Sequence, residues 1–461
     1  MSLITSDKYS VIVGLGISGL SCARHLSKLQ KLGKVGRFVV MDTRENPPLV
    51  TQLKEACPDV NLICGELDLD LLKGASEIIV SPGLDTNQSP YRELKQQGVS
   101  VVGDIELFAR EADAPVVAIT GSNGKSTVTT LIGQMAETAG LKVKVGGNIG
   151  VAALDLLGPV KPDLYVLELS SFQLETTSSL SPAVATVLNL QADHLDRYGN
   201  MVAYHTAKQR IYRNCKQSVW NKQDMLTQPL LGTESKALAF TTAEPDLKEF
   251  GLRDYDGELW LCKGLEKLIN ANEVKLKGRH NLANALACLA LGEAVELPMT
   301  AMLNTLKEFG GLAHRCEWIK SISGVQFIND SKGTNVGATK AAIDGLANTE
   351  KNIVLIAGGV AKGADFSELT ESLSKHCKTL VVFGEDKQAI IDKAPSGLTV
   401  VDAADLEQAV DQAQAASEVG DIVLFSPACA SFDMFRNFEH RGDEFSRLVG
   451  ELKPKINGEG S

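Results

Sequence analysis

Residues 118–127, Ala-Ile-Thr-Gly-Ser-Asn-Gly-Lys-Ser-Thr, constrain this chain more than any other stretch. The apolar run Val116, Val117, Ala118 and Ile119 enters a glycine-rich turn of Gly121, Ser122, Asn123 and Gly124 that ends in Lys125, Ser126 and Thr127. Behind it Val128, Leu131, Ile132, Met135 and Ala136 recur at helical spacing. Strand, tight turn and helix start in that order form a phosphate cradle. The turn's N–H groups and the positive helix end face an anion, Lys125 adds a point charge, and the hydroxyl of Ser126 or Thr127 can hold Mg²⁺. The pattern predicts a nucleoside triphosphate on an α/β sheet. In the common P-loop a glycine stands where this chain has Ile119. Here the first glycine is Gly121, so the loop is shorter than in kinases and GTPases.

At 461 residues the chain has room for about two to four domains. A formal charge of −11 excludes non-specific binding to nucleic acid or to a membrane surface. It also requires that cations for anionic substrates be gathered locally. Nine cysteines are scattered singly without a Cys-x-x-Cys pair, the pattern of free thiols in a reducing compartment. No apolar run reaches membrane-spanning length and the N-terminus lacks a signal-peptide pattern, so a cytoplasmic location is expected. Residues 457–461 read as a tail.

The patterning predicts an α/β chain of three domains. Residues 1–103 form a Rossmann-like unit, 104–311 a central P-loop ATPase-like unit with a mostly parallel sheet, and 312–461 a second Rossmann-like α/β unit. In the first, a strand over 10–14 leads into Gly14-x-Gly16-x-x-Gly19 and a helix to about residue 29. Strands over 38–41 and 77–80 end at Asp42-Thr43-Arg44 and Ser81-Pro82-Gly83. Alone, this glycine motif with Asp42 suggests NAD and an oxidoreductase. Beside the triphosphate loop it equally suits the pyrophosphate of a UDP-sugar. In the centre, strands are expected over 143–145, 164–167 and 185–188, helices over 201–214 and 281–294, and a hairpin at Asp256-Gly257. Segments 103–111 and 310–312 read as joints. Beyond the second, strands over 326–328, 353–357, 379–383 and 422–425 alternate with helices.

Chemistry-bearing residues collect at strand ends. Glu168 closes a strand, which suits either a Mg²⁺ ligand or a helix-capping acid. His194 stands among Asp193 and Arg197, as a structural or a functional imidazole. Lys208 shares a helix face with Tyr204 and Ile211. Exposed, it is an ordinary solvated lysine. Buried, it becomes a neutral amine able to add CO₂ and to ligate Mg²⁺ through the resulting carbamate. Asn281 and Asn284 lie three apart on one helix, and Arg315 follows the second joint. Asp330, Lys332 and Thr334 follow a strand, as do the Gly358–Gly363 loop with Lys362 and the loop with Ser431 and Phe432.

Together these motifs, with Gly103–Phe108, Gly146–Gly150 and Leu167–Glu175, resemble the ATP-dependent Mur ligases of peptidoglycan synthesis over essentially the whole chain. The first- and third-domain motifs favour the branch that adds D-glutamate. The resemblance implies a monomeric ligase that joins D-glutamate to UDP-N-acetylmuramoyl-L-alanine through an acyl phosphate made from ATP. By the same resemblance, Gly121, Ser122, Asn123, Gly124, Lys125, Ser126, Thr127, Asn281, Asn284, Arg315 and Asp330 hold ATP. Gly16, Ile17, Ser18, Asp42, Thr43, Arg44, Gly83 and Asn148 hold the UDP-sugar. Lys332, Thr334, Lys362, Ser431, Phe432 and Phe438 hold D-glutamate. Two Mg²⁺ ions are implied, served by Ser126, Glu168, His194 and carbamylated Lys208, with Lys125, His194 and Lys208 catalytic. The chain departs from the family pattern at Gln191-Ala192, Gly333 and Val360-Ala361. Sites spread over three domains imply closure about the two joints.

Overall fold

The computed structural model describes residues 9–230, 236–276, 278–347, 351–361 and 363–453, without the side chain of Asp196. The expected tail at 457–461 lies outside them.

Three sheets follow one another along the chain. The first contains β1 (Ser10–Val13), β2 (Phe38–Asp42), β3 (Asn61–Cys64), β4 (Glu77–Val80) and β5 (Ser100–Val102). All run parallel in the order β3-β2-β1-β4-β5. The order reverses between β1 and β4, so the loops after these two strands flank a crevice of the kind that binds ligands. β3 and β5 are strands the sequence reading did not anticipate. Both are short edge strands, and the ends of β3 are exposed, which leaves little apolar signal. The helix Ile17–Lys31 starts hard against the end of β1. A Cβ on Gly19 would lie 1.9 Å from the Gly14 carbonyl oxygen, so only glycine allows that approach.

The central sheet has nine strands: β6 (Val116–Thr120), β7 (Val143–Gly147), β8 (Leu164–Glu168), β9 (Val184–Val187), β10 (Gln217–Asn221), β11 (Lys236–Phe240), β12 (Phe250–Tyr255), β13 (Glu258–Lys263) and β14 (Glu266–Asn270). Their order is β14-β13-β12-β11-β10-β9-β6-β8-β7, parallel from β12 to β7 and antiparallel across β12, β13 and β14. β6 is flanked by β9 and β8, which brings three strand ends to one place. The expected hairpin stands between β12 and β13. Asp256 and Gly257 both have positive φ, 58° and 84°, as a two-residue primed turn requires. The helix expected over 201–214 is shorter: Met201–Gln209 is α-helical and Arg210–Tyr212 tightens to a 3₁₀ turn. There Arg210 donates to the Leu174 and Thr177 carbonyls, and the Tyr212 hydroxyl meets Val187 N and the carbonyls of Val219 and Thr227. These tertiary bonds replace continued helix.

The third sheet contains β15 (Glu317–Ile322), β16 (Val325–Asn329), β17 (Ile353–Gly358), β18 (Cys377–Phe383), β19 (Thr399–Asp402) and β20 (Ile422–Phe425), in the order β15-β16-β20-β17-β18-β19. Only β15 is antiparallel to its neighbour. β15 and β19 had no counterpart in the sequence reading.

The three units join differently. One apolar core runs from Ile12, Leu15 and Leu20 through Ile105 and Phe108 to Val116, Ala118 and Tyr165. The helix Asp104–Glu111 therefore packs into both of the first two units. Its Glu106 carboxylate also accepts from Ser178 N and Ser179 N at 2.7 and 3.0 Å. The third sheet keeps apolar cores of its own. It meets the central unit through the bonds of Arg315 to Ser126 and Asn335 to Asn123, and where the helix Val336–Leu346 packs on the helix Arg279–Ala294 with Gly345 against the His280 ring. Units with separate cores permit relative motion more readily than units with a shared apolar core. No described helix is long and apolar enough to cross a membrane.

Candidate functional site

The glycine-rich turn spans from β6 to the helix Lys125–Thr138, and the end of β9 holds it in shape. Asn189 accepts from Ser122 N at its carbonyl and from Asn123 N at Oδ1, 3.0 and 2.8 Å. Its own amide returns a bond to the Asn123 carbonyl at 3.0 Å. Lys125 Nζ folds back onto the carbonyls of Gly121 and Ser122, at 2.9 and 2.8 Å. Lys208 Nζ reaches the same Gly121 carbonyl at 2.9 Å, and Thr120 Oγ1 at 3.3 Å. Lys208 is 2% exposed, and its Nζ lies 4.8 Å from the centre of the Tyr204 ring. Burial pushes both amines below the usual lysine range. Lys208 falls well below it, with the charge of Lys125 adding to the effect of burial. Of the two readings open for Lys208, the structure gives the buried amine.

Glu168 is buried at the end of β8, not displayed as a surface acid. Ser126 Oγ donates to its Oε2 at 2.6 Å and Asn148 Nδ2 to its Oε1 at 2.7 Å. Arg315 Nη2 donates to the same Ser126 Oγ at 2.6 Å. A carboxylate and a hydroxyl side by side make a hard-oxygen pair that fits Mg²⁺, with phosphate and water oxygens completing the shell. Among the described residues no group of three or more His, Cys, Asp or Glu is placed to hold a metal. His194 adopts φ 54°, an uncommon left-handed conformation, just before the short helix Leu195–Tyr198. Its ring packs 4.8 Å from Phe172 and 6.5 Å from Tyr204, facing the cavity that Lys208 also lines.

Two adjoining cavities share Asn123, Gly124, Arg315 and Lys332. The smaller, about 250 Å³, is lined by Thr127, Asn281, Asn284 and Asp330 as well. The larger, about 460 Å³, takes in Lys125, Glu168, His194, Lys208, Thr334, Ser431, Phe432 and Phe438. Asp330 is buried, accepting from Ser426 Oγ at 2.7 Å and Cys316 N at 3.1 Å, and burial raises its carboxyl to about 6. Burial, with the Arg315 and Lys125 charges, lowers Lys332 to about 8, and its Nζ sits 3.8 Å from the Phe438 ring centre. A Cβ at Gly333 would come within 2.5 Å of Ser426 Oγ, which explains the glycine at that departure. Arg441, 1% exposed, donates to the carbonyls of Ser331 and Cys429 and so ties the two loops that carry Lys332 and Ser431. Phe432 is 68% exposed at the cavity rim. Lys362 lies outside the described residues.

In the first unit, Gly16 caps the helix Ile17–Lys31, with Ile17 exposed and Ser18 half-buried at the crevice. Asp42 is buried. Its carboxylate accepts from Leu15 N at 2.6 Å and from the Arg44 main chain and guanidinium at 2.7–2.9 Å, which braces the glycine turn. Thr43 and Gly83 are exposed nearby. Asn148, grouped with these by resemblance, lies against Glu168 in the central cavity. Asn189, Gln191, Arg197 and Asn335 were not singled out as site residues. Arg197 joins Glu175 at 2.8 Å to the Leu84 carbonyl at 3.1 Å, spanning the first two units. Asn189 follows a strand just as Glu168 closes one, and Asn335 is an N-cap residue preceding a helix. Both signals were present in the sequence.

Comparison with known proteins accords with this layout. Family models match as the Mur ligase MurD-like N-terminal domain over residues 8–103, the Mur ligase middle domain over 119–292 and the Mur ligase glutamate ligase domain over 314–429. A UDP-N-acetylmuramoylalanine--D-glutamate ligase of Pseudomonas fluorescens is 51% identical over 453 residues, which is 98% of this chain and all of the relative. A pseudomurein peptide ligase type C from Methanothermus fervidus, 17% identical, superposes with TM-score 0.60 over 97% of this chain and all of that one. The UDP-N-acetylmuramate-alanine ligase of Thermotoga maritima, 19% identical, gives 0.57 over 96% and 99%. These two likenesses speak for the fold.

The Asp42 brace has a pH signature. Its hydrogen bonds to Arg44 hold the carboxyl near 2, below its ordinary 3.8. The stabilisation is therefore full above the ordinary value and lost as pH falls through 2. Asp42→Asn is expected to destabilise the protein by about 1–2 kcal/mol at neutral pH, a modest figure because Arg44 is half exposed. The gap between the two proteins should close between pH 4 and 2 in denaturant titrations. A gap that stays constant over that range contradicts the brace.

Proposed function

The chain belongs to the Mur ligase family, and on that premise we propose that it joins D-glutamate to the alanyl carboxylate of UDP-N-acetylmuramoyl-L-alanine while ATP becomes ADP and phosphate. The observation that carries this reading is the 51% identity, over 98% of this chain, to a protein named as a D-glutamate ligase. The two cavities that meet at the phosphate loop give it a physical setting. The three units are taken as residues 1–103 for the UDP-sugar, 104–311 for ATP and 312–461 for the amino acid, acting as a monomer in the cytoplasm.

In this reaction the alanyl carboxylate attacks the γ-phosphorus, the bond to ADP breaks, and an acyl phosphate forms. The amine of D-glutamate then attacks the acyl carbon, phosphate leaves, and the amine gives up its proton as the amide forms. The obstacle is repulsion among anions. Lys125, Arg315 and the start of the helix Lys125–Thr138 offset it at the phosphates. Asn281, Asn284 and Asp330 hold the rest of the nucleotide in the smaller cavity. Gly16, Ile17, Ser18, Thr43, Arg44, Gly83 and Asn148 take the UDP-sugar, with Asp42 keeping the glycine turn in shape. Lys332, Thr334, Ser431, Phe432, Phe438 and Lys362 receive D-glutamate, and His194 orients its amine. Ser126 and Glu168 would hold one Mg²⁺, and His194 with carbamylated Lys208 a second, which would neutralise phosphoryl charge.

Burial and a depressed pKa support the carbamate. A neutral amine adds CO₂ and loses a proton, and an uncharged group beside Lys125 is thereby replaced by an anion that attracts it. A sister ligase adding another amino acid is the nearest rival. The NAD reading of the first glycine motif leaves the triphosphate loop without a purpose.

Phosphate release with UDP-N-acetylmuramoyl-L-alanine and a panel of amino acids should depend on D-glutamate. Release with L-lysine or meso-diaminopimelate but not D-glutamate would overturn the substrate assignment. Lys208→Ala should lower turnover by at least about a hundredfold, the scale of losing one charge-stabilising group. A short-chain carboxylic acid should restore part of it, and full activity in the unsupplemented variant would refute the carbamate.

A further inference from the structure

Beside the Arg315–Ser126 bond and the packing of helix Val336–Leu346 on helix Arg279–Ala294, the central and third units meet at three side-chain amides. Asn123, in the phosphate loop, donates Nδ2 to Gln191 Oε1 at 2.7 Å and accepts at Oδ1 from Asn335 Nδ2 at 3.3 Å. Gln191 lies just beyond β9, and its main chain is locked to the same loop. Its N–H donates to Ser122 Oγ, which in turn donates to its carbonyl, both at 2.9 Å. Asn335 opens the helix Val336–Leu346, where its Oδ1 accepts from Ala338 N at 2.8 Å. The fit is also steric. A Cβ on Gly337 would lie 2.1 Å from Gln191 Oε1 and 2.6 Å from its Cδ, so a side chain there would push the glutamine amide aside.

We propose that Gln191, Asn123 and Asn335 form a latch that sets the closed position of the third unit on the phosphate loop, with Gln191 as a positioning residue. Lys332 and Thr334 lie immediately before Asn335, so whatever seats Asn335 also seats them over the larger cavity. Asn123 lines both cavities, which places the latch where the nucleotide end meets the amino-acid end. The latch is neutral. Opening it exposes amides that water satisfies, without the heavy desolvation terms of a buried ion pair, and this suits a contact that must open and close each turnover. The kinetic consequence rests on the ligase reading, whereas the conformational one does not.

The test uses the full-length protein with Gln191→Ala, Gly337→Ala, both together, and Asn335→Ser, which keeps a helix-capping oxygen but removes the amide donor. Each single variant should shift small-angle scattering of the ligand-free protein toward a more extended form. Each should also lower kcat/KM for D-glutamate by about three- to tenfold, the worth of one neutral hydrogen bond, with the thermal midpoint little changed. The double variant should cost no more than Gln191→Ala alone, because removing the glutamine empties the space that the new Cβ needs. Independent, multiplying costs for Gln191→Ala and Gly337→Ala, or scattering unchanged in every variant, would overturn the latch. A wild-type protein inactive with D-glutamate would count against the ligase reading and leave scattering to decide the latch.

Discussion

Two lysine amines converge on one carbonyl oxygen, that of Gly121, and most of the site follows from that arrangement. Lys125 arrives from the helix start and Lys208 from a separate helix, and both donate to neutral oxygens. Were both charged they would repel each other, and burial of Lys208, 2% exposed, together with the Lys125 charge, favours its neutral amine. The arrangement is relieved when one amine loses its charge or when an anion enters. A triphosphate over the turn relieves it at Lys125, and conversion of Lys208 to a carbamate relieves it at the other. The ligand-free loop is thus built around an electrostatic deficit that its proposed reactants fill.

The surrounding fold serves to place that deficit at a junction. β6, β8 and β9 are neighbours, so the phosphate loop, Glu168 and the segment from Asn189 to His194 emerge side by side. The first unit is fused to the central one by a continuous apolar core. The third keeps separate apolar cores and touches it through the Arg315–Ser126 bond, the amide of Asn335 on Asn123 and the packing of helix Val336–Leu346 on helix Arg279–Ala294. On the proposed reading motion belongs to the third unit, because such a contact opens at lower cost than a shared apolar core. In the proposed reaction the sugar-linked substrate and ATP are therefore presented by a stiff pair of units, and the amino acid is delivered by the one that moves.

Much of this was legible in the residues, and the limits have physical causes. The three sheets and their parallel sense followed from strands that are apolar throughout, such as β6 and β17, each bounded by glycine loops. The Asp256-Gly257 hairpin followed from a turn that demands two positive φ angles. What escaped was edge structure and two short strands inside the central sheet, β10 and β11. β3 and β15 carry polar residues facing solvent, and β10 and β11 each begin on a polar residue, so their periodicity is weak. Within the site, Glu168 and Lys208 could be named but not decided, because only burial separates a buried acid from a surface one and a neutral amine from a solvated one. Gln191, Asn189 and Asn335 are amides of a kind found in any loop. Their meaning lies in contacts between segments up to about two hundred positions apart, as in the bond from Asn335 to Asn123.

The central claim is that this cleft activates a carboxylate by phosphorylating it. It is tested most directly by supplying UDP-N-acetylmuramoyl-L-alanine with ¹⁸O in the alanyl carboxylate, together with ATP, Mg²⁺ and D-glutamate, and analysing the released phosphate by mass spectrometry. An acyl phosphate predicts one labelled oxygen carried from the carboxylate into inorganic phosphate with each amide bond formed. Phosphate released without label, while the amide accumulates, would contradict the account.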